Sequence, residues 1–385
     1  MNILFLMGIY PSYGGVEKVS TILANEFIDM GYGVSIISFE QPHLELAEQE
    51  LDKKVQLYKF DYPVYCSQNV KRLRDIIKAE NINVIINQWV VPFYVARLCD
   101  KAKKGLSCKL ISVHHNLPDT NARIKAVEIQ IENNIGNKII NKLRLFAVKT
   151  ISRLSLRYTY EKSDKYIVLS PSFIPILQNY IRIKSESPKL LSISNPLTIS
   201  RSKNLCFNDK RKEILYVGRI EYNQKRTFRL VDIWKDLSPK HPDWTLTIVG
   251  DGPDGDDFRK RVVDSKLSNI NIEGFKNPLE YYRRASVIIL VSEFEGFPLV
   301  LAEAMCNGCV PIVLDSYAAV HDIVKPDTGV IVPYPYNKDL FVKLTDKLIL
   351  DTDSLRQYSG NALRYSQKYL IENIITEWEK LFKAM

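Results

Sequence analysis

Residues 292–305 read SEFEGFPLVLAEAM, with Glu295 and Glu303 eight positions apart around Gly296, Phe297 and Pro298. The run VIILVS precedes the stretch and VPIVLD follows it. It therefore reads as the loop and apolar helix joining two buried strands. A proline in the first helical turn has the φ that position needs, and the amides around it lack intrahelical partners. Free amides at the positive end of a helix attract anions. Carboxylates do the opposite: they accept from hydroxyls and repel a bare phosphate. Amides and glutamates together describe a ligand with a diphosphate in its middle and polyols on either side.

The same alternation extends through the chain. NILFLMG, GVSIISF, VIINQWV, KLISVHH and KYIVLS precede EILYVGR, TLTIVGDG, NINIEGF, VIILVS and VPIVLD, each separated from the next by a loop or a helical length. Strands apolar on both faces argue for parallel sheets covered by helices, a doubly wound α/β fold. At 385 residues two cores are expected. The pattern restarts after a polar stretch headed by Asn195-Pro196. We expect a Rossmann-like domain at 1–195, a linker at 196–211, a second Rossmann-like domain at 212–365, and a terminal helix at 366–385 returning to the first domain, with the strand ends of both domains facing a central cleft.

Composition narrows the class. With 46% hydrophobic and 25% charged residues the chain is neither disordered nor fibrous. The opening MNILFLMG lacks a basic leader and reads as a first strand. No run reaches the roughly 18 to 20 apolar residues of a membrane span, so a cytoplasmic setting is expected. Six cysteines at irregular spacing read as reduced, and CNGC at 306–309 has no second ligand pair that would make it a zinc or redox site. The net charge of +9 is compatible with nucleic acid, anionic lipid or phosphorylated substrates.

EGFPLVLAEAM, with its Glu-x7-Glu spacing, resembles the signature of the family 4 retaining glycosyltransferases, whose fold is the two-domain GT-B architecture. Upstream, ILYVGRIEYNQKR is similar to that family's G-R…K element, TIVGDGP to its G-x-G-P turn, and IEGF to the loop that frames the base. The order is correct across most of the C-terminal half. The resemblance implies roles. Arg219 and Lys225 would neutralise the donor diphosphate, Glu303 would accept from the ribose hydroxyls, and Glu295 would contact the transferred sugar as a catalytic residue. Phe297, Leu299 and Val300 would offer backbone amides, and Phe275 and Lys276 would frame the base. The donor would be a UDP- or GDP-sugar used without a metal. Transfer with retention would proceed by front-face displacement, the departing phosphate oxygen helping to deprotonate the acceptor. One departure stands out: where the family has Gly-Gly and then Glu, this chain has Ala318, Ala319 and Asp322.

In the N-terminal half, PSYGGVEK resembles the family's Gly-Gly loop, where Gly14 and Gly15 let backbone approach the donor phosphates. KLISVHHNLPD puts His114, His115 and Asn116 at the C-terminal edge of a strand, where doubly wound proteins bind ligands. The family often sets a histidine here beside sugar and acceptor. Register favours His115, with catalysis on that ring and His114 and Asn116 on the acceptor side. Residues 121–165 set isoleucine, leucine and phenylalanine at near-helical spacing among Lys138, Lys142, Arg144, Lys149, Arg153 and Arg157. Two readings of this stretch stand: a basic amphipathic surface resting on an anionic membrane, or a helix packed on its own domain with a solvated basic face.

The expected activity is transfer of a hexose to a glycan or undecaprenyl-diphosphate-linked acceptor in bacterial surface polysaccharide assembly, such as capsule or O-antigen. The enzyme would be cytoplasmic or peripheral on the inner membrane. A nucleotide-sugar epimerase of the same architecture is the alternative enzyme. A nucleic-acid-binding module is the alternative of another class; it lacks a recognition motif, and no nucleic acid is expected as partner.

Overall fold

The computed structural model describes residues 1–132, 135–183, 187–200 and 207–385. Cys206, residues 201–206 of the expected linker and residues 133–134 of the basic stretch lie outside the described residues. The chain divides into two compact units. Unit 1 is Met1–Pro196 with Ile375–Met385, and unit 2 is Leu197–Ile374.

Unit 1 carries strands β1 (Asn2–Leu6), β2 (Gly33–Ser38), β3 (Gln56–Lys59), β4 (Val84–Asn87), β5 (Lys109–His114), β6 (Lys165–Val168) and β7 (Leu190–Ser192). They form one parallel sheet in the order β3-β2-β1-β4-β5-β6-β7. Ile3 to Leu6 and Ile36 and Ile37 are fully buried, which accounts for their apolar character on both faces. The order reverses between β1 and β4, the switch point at which such sheets open a crevice beyond their strand ends. The helix Ile371–Lys383 brings Trp378 and Phe382 onto Phe27 of the helix Gly15–Asp29, with ring centroids 6.1 and 5.5 Å apart.

Unit 2 carries β8 (Arg211–Val217), β9 (Thr245–Val249), β10 (Ile270–Gly274), β11 (Ala285–Leu290), β12 (Val310–Leu314) and β13 (Val330–Val332), parallel in the order β10-β9-β8-β11-β12-β13. Its switch point lies between β8 and β11. The glycines of TIVGDGP serve packing beside those strands. A Cβ on Gly250, at φ +138°, would stand 2.0 Å from the Gly218 carbonyl oxygen, and one on Gly252 would stand 2.4 Å from that of Ile220. The loops after β8 and β9 therefore lie against each other, tied by Ile220 N–H donating to the Asp251 carbonyl at 3.1 Å.

The two cysteines of CNGC are ordinary core. Cys306 and Cys309 are buried, the latter donating to the Tyr282 and Ala285 carbonyls. No helix among the described residues is long and apolar enough to cross a membrane.

Candidate active site

In unit 2 the loops leaving β8 and β11 meet at the switch point. Lys225, on the first, donates from Nζ to Glu295 Oε1, on the second, at 2.6 Å. The two side chains are 16% and 7% exposed, so the pair is held largely away from water. A cation and a carboxylate brought together across 70 residues at this position unite two of the residues singled out from sequence. Gln224 fastens the same junction: Glu293 N–H donates to its carbonyl at 2.8 Å, and its amide donates to the Phe294 carbonyl at 3.2 Å. Arg219 is disposed differently. Its side chain is 65% exposed, with the guanidinium 3.8 Å from the Glu221 carboxylate.

The helix Leu299–Cys306 starts one residue later than the sequence suggests, with Pro298 as its N-cap. One expected donor is lost. Leu299 N–H turns back to the Phe297 carbonyl at 2.9 Å, because the chain tightens at Pro298 to enter the helix. Of the three amides expected to face an anion, that of Leu299 is therefore already engaged. Glu303, one turn inside, is 4% exposed. Its carboxylate accepts from the hydroxyl of Thr198, from Thr198 N–H at 3.3 Å and from Tyr282 OH at 3.2 Å. A carboxylate offers about four lone-pair sites. At the end of β10, the Phe275 ring is 75% exposed beyond Gly274, and Lys276 donates to Glu273 at 2.6 Å. Asp322, at the point of departure from the family pattern, gives its carbonyl to Tyr365, Lys368 and Tyr369.

Unit 1 opens a pocket of about 310 Å³ at its own switch point. Every strand from β1 to β5 contributes from its C-terminal end: Met7 to Ile9, Glu40, Tyr62, Gln88 to Val91, and His115 with Asn116. The helix Gly15–Asp29 adds Val16 and Glu17. His115 faces this pocket, its Nε2 2.6 Å from Gln88 Oε1. His114 does not, which corrects its expected place on the acceptor side. It is 1% exposed, with Nδ1 2.9 Å from Tyr166 OH, because alternation along β5 turns its ring into the core. Gly14 is the N-cap of the first helix and Gly15 its first residue. The room left by the absent Gly14 side chain is taken by Glu17, whose Oε2 would lie 2.0 Å from a Cβ there. The expected open approach for phosphates at Gly14 is therefore covered by a carboxylate in this structure.

Burial lowers both histidines, His114 to about 4 and His115 to about 3, the neighbouring His114 adding to the effect on His115. Both rings are neutral at physiological pH. Their folded values lie below the unfolded one, so the stability they contribute is present above about pH 6.5 and is lost as pH falls toward 4 and below. We expect the unfolding free energy to drop over that window with a slope that flattens by about one proton when His115 is replaced by Gln. Chemical denaturation at pH 7, 6, 5 and 4 measures it, and identical slopes in the two proteins would contradict the burial argument.

Sequence reading missed Gln88, Trp89, Glu40 and Tyr62 in unit 1, and Thr198 and Tyr282 in unit 2. For Gln88 and Trp89 the signal was present: in VIINQWV they are the first residues past a buried strand.

Two family models match the chain: Glycosyl transferases group 1 over residues 200–365, and Glycosyltransferase Family 4 over residues 13–191. The chain belongs to this family of glycosyltransferases, and its two parallel-sheet Rossmann-like domains are of the GT-B type. It is similar to an uncharacterized glycosyltransferase of Haemophilus influenzae, 27% identical over 384 residues, covering 97% of this chain and 98% of that one. It is also similar to the amylovoran biosynthesis glycosyltransferase AmsD of Erwinia amylovora, 32% identical over 231 residues, 58% of this chain and 63% of that one. Among solved structures, Anabaena Alr3699/HepE in complex with UDP and glucose shares the fold, with a TM-score of 0.75 at 15% identity and 100% of each chain covered. These relationships are to glycosyltransferases and do not favour an epimerase.

Proposed function

We propose that the chain is a retaining hexosyltransferase that moves a sugar from a UDP- or GDP-sugar to a glycan or undecaprenyl-diphosphate-linked glycan in the assembly of a surface polysaccharide such as capsule or O-antigen. The observation that carries this reading is the Lys225–Glu295 pair at the unit 2 switch point, 2.6 Å apart and sheltered from water. An ammonium has three donors, so Lys225 can keep Glu295 and still meet a diphosphate oxygen. Exposed Arg219 supplies a second cation as the leaving group gathers charge. Glu303 takes the ribose hydroxyls, Glu295 the sugar hydroxyls, and the Phe297 and Val300 amides the phosphate. With cations in that role the reaction runs without a metal, and the departing phosphate oxygen accepts the proton of the attacking hydroxyl. The setting in polysaccharide assembly is supported by the amylovoran relative, and the donor class by the nucleotide in the Anabaena structure.

A thermal-shift screen of UDP-, GDP- and ADP-sugars tests the donor. A ligand at about 100 times its Kd stabilises by about 2.7 kcal/mol. We expect one nucleotide-sugar class to raise Tm by several degrees, equally with and without EDTA. Equal Tm with every donor would reject the reading, and loss of the shift in EDTA would reject its metal-free form.

The same reading has the helix Lys138–Lys162 resting on an anionic bilayer at the cytoplasmic face of the inner membrane. Its outward face supports this. Ile139, Ile140, Leu143, Phe146, Ile151 and Leu154 are 57 to 71% exposed. Exposed Lys138, Lys142, Arg144 and Arg157 lie around them, while Ser152, Leu156, Thr159 and Tyr160 are buried. An apolar stripe facing water with basic flanks suits a headgroup boundary better than bulk solvent. In flotation with phosphatidylglycerol vesicles at physiological salt, the protein should float, and replacing Ile139, Leu143 and Phe146 by Ser should reduce the floated fraction at least fivefold. Wild-type protein remaining at the bottom would end the membrane reading.

A further inference from the structure

We propose that the pocket of unit 1 binds a neutral saccharide of at least two sugar units, its terminal ring against Trp89 and its next ring over Tyr94 and Phe93. This rests on the transfer reading above and names its acceptor class.

A pyranose offers a face of C–H bonds and a rim of hydroxyls. It is recognised by an aromatic ring beside polar groups that can both donate and accept. The pocket supplies both. Trp89 lines it, with its ring seated on Gly8, where a Cβ would come within 3.0 Å of the indole. Two polar atoms buried at its wall lack a hydrogen-bond partner: Gln88 Nε2, on a residue only 7% exposed, and His115 Nδ1. Such atoms cost stability unless something satisfies them. A ring hydroxyl, which donates and accepts, serves an amide nitrogen and a neutral imidazole alike. Burial keeps the imidazole neutral, so it carries no charge that would call for an anion.

The charges of the lining point the same way. Among the described residues its charged lining is Glu17 and Glu40, with no lysine or arginine. Glu40 accepts from Tyr62 OH at 2.9 Å, which fixes the carboxylate at the rim. Two carboxylates without a cation favour hydroxyls and oppose a phosphate or a uronate.

The length follows from the rings outside the pocket. Trp89 contacts Tyr94 with centroids 6.3 Å apart, Tyr94 contacts Phe93 at 5.9 Å, and Phe93 contacts Tyr158 at 5.8 Å. Phe93 and Tyr94 are 43% and 37% exposed at the start of the helix Phe93–Ala102. The aromatic line is continuous with the polar pocket, so a chain of sugars is its fitting occupant: one ring ends in the pocket and the following ring lies along the line.

Saturation-transfer NMR on the full chain tests this with neutral glucosyl, galactosyl and mannosyl disaccharides, the matching methyl monosaccharides, and 6-phosphorylated counterparts. At least one neutral disaccharide should bind, at least tenfold more tightly than its phosphorylated form and fivefold more tightly than its monosaccharide. F93A/Y94A should erase the disaccharide advantage and leave the monosaccharide unchanged. E40K should raise binding of the phosphorylated form at least tenfold. Absence of binding by every saccharide, equal binding of charged and neutral forms, or indifference to F93A/Y94A would each overturn the proposal. The same samples are titrated with the nucleotide-sugars. A donor shift without saccharide binding overturns this subsite and leaves transfer standing, and saccharide binding without a donor shift does the reverse.

Discussion

Replacing Glu295 by Gln or Lys225 by Ala should lower kcat at least 100-fold, and the double variant should lose no more than the worse single one. The expectation follows from their contact. Each removal deprives the developing phosphate charge or the sugar of a preorganised partner, an effect of about 10² to 10³ for a single donor. Residues acting as a unit are non-additive, so the second removal takes away what the first has already spoiled. The same contact has a structural side. Truncating Lys225 leaves a carboxylate that is 7% exposed without its cation, which for a buried pair costs about 3 to 5 kcal/mol. Lys225→Ala should therefore melt lower than Glu295→Gln, which keeps its shape and leaves a cation with more access to solvent. Both must be assayed below their melting range with circular dichroism as control. Turnover above a tenth of wild type in either folded variant would remove the pair from the mechanism.

Glu303→Gln should weaken donor binding by about one to two orders of magnitude, the worth of hydrogen bonds to a charged group at about 1.5 to 3 kcal/mol. A chemical control makes this specific to the ribose. A 2′,3′-dideoxy donor should bind wild type more weakly, yet the further change from Glu303 to Gln should be small with that donor, because the partner hydroxyls are already gone. Equal losses with ribo and dideoxy donors would assign Glu303 to packing instead. That alternative has a concrete basis: Thr198 and Tyr282 already occupy part of the carboxylate. Titration calorimetry on the four combinations separates the two roles.

Most of the architecture was legible because parallel strands covered on both faces leave near-continuous apolar runs. Ile3 to Leu6, Ile36 and Ile37, and Val287 to Leu290 could be read directly. The unit 2 site was legible in part because its residues fall in short motifs. The Glu295-x7-Glu303 spacing lies on one loop and helix, and Lys225 on one β8 loop. What escaped was tertiary. Thr198 reaches Glu303 across 105 residues, and no local pattern announces that. His114 and His115 are adjacent, and a strand sends neighbours to opposite faces, so only the end of β5 decides which ring meets the pocket. Leu299 fell to turn geometry: its N–H found the Phe297 carbonyl, and the sequence can suggest a helix start without fixing each orphan amide. The outward apolar stripe of Lys138–Lys162 is similar. Periodicity revealed a helix with hydrophobic residues among basic ones, but which face the fold would cover depended on packing.

The most direct measurement is a crystal structure with the nucleoside diphosphate whose sugar gives the largest thermal shift. The account predicts ribose hydroxyls within about 3 Å of the Glu303 carboxylate and a diphosphate oxygen at similar distance from Lys225 Nζ. A nucleotide bound elsewhere, with Glu303 still engaged by Thr198 and Tyr282 and Lys225 by Glu295, would contradict it.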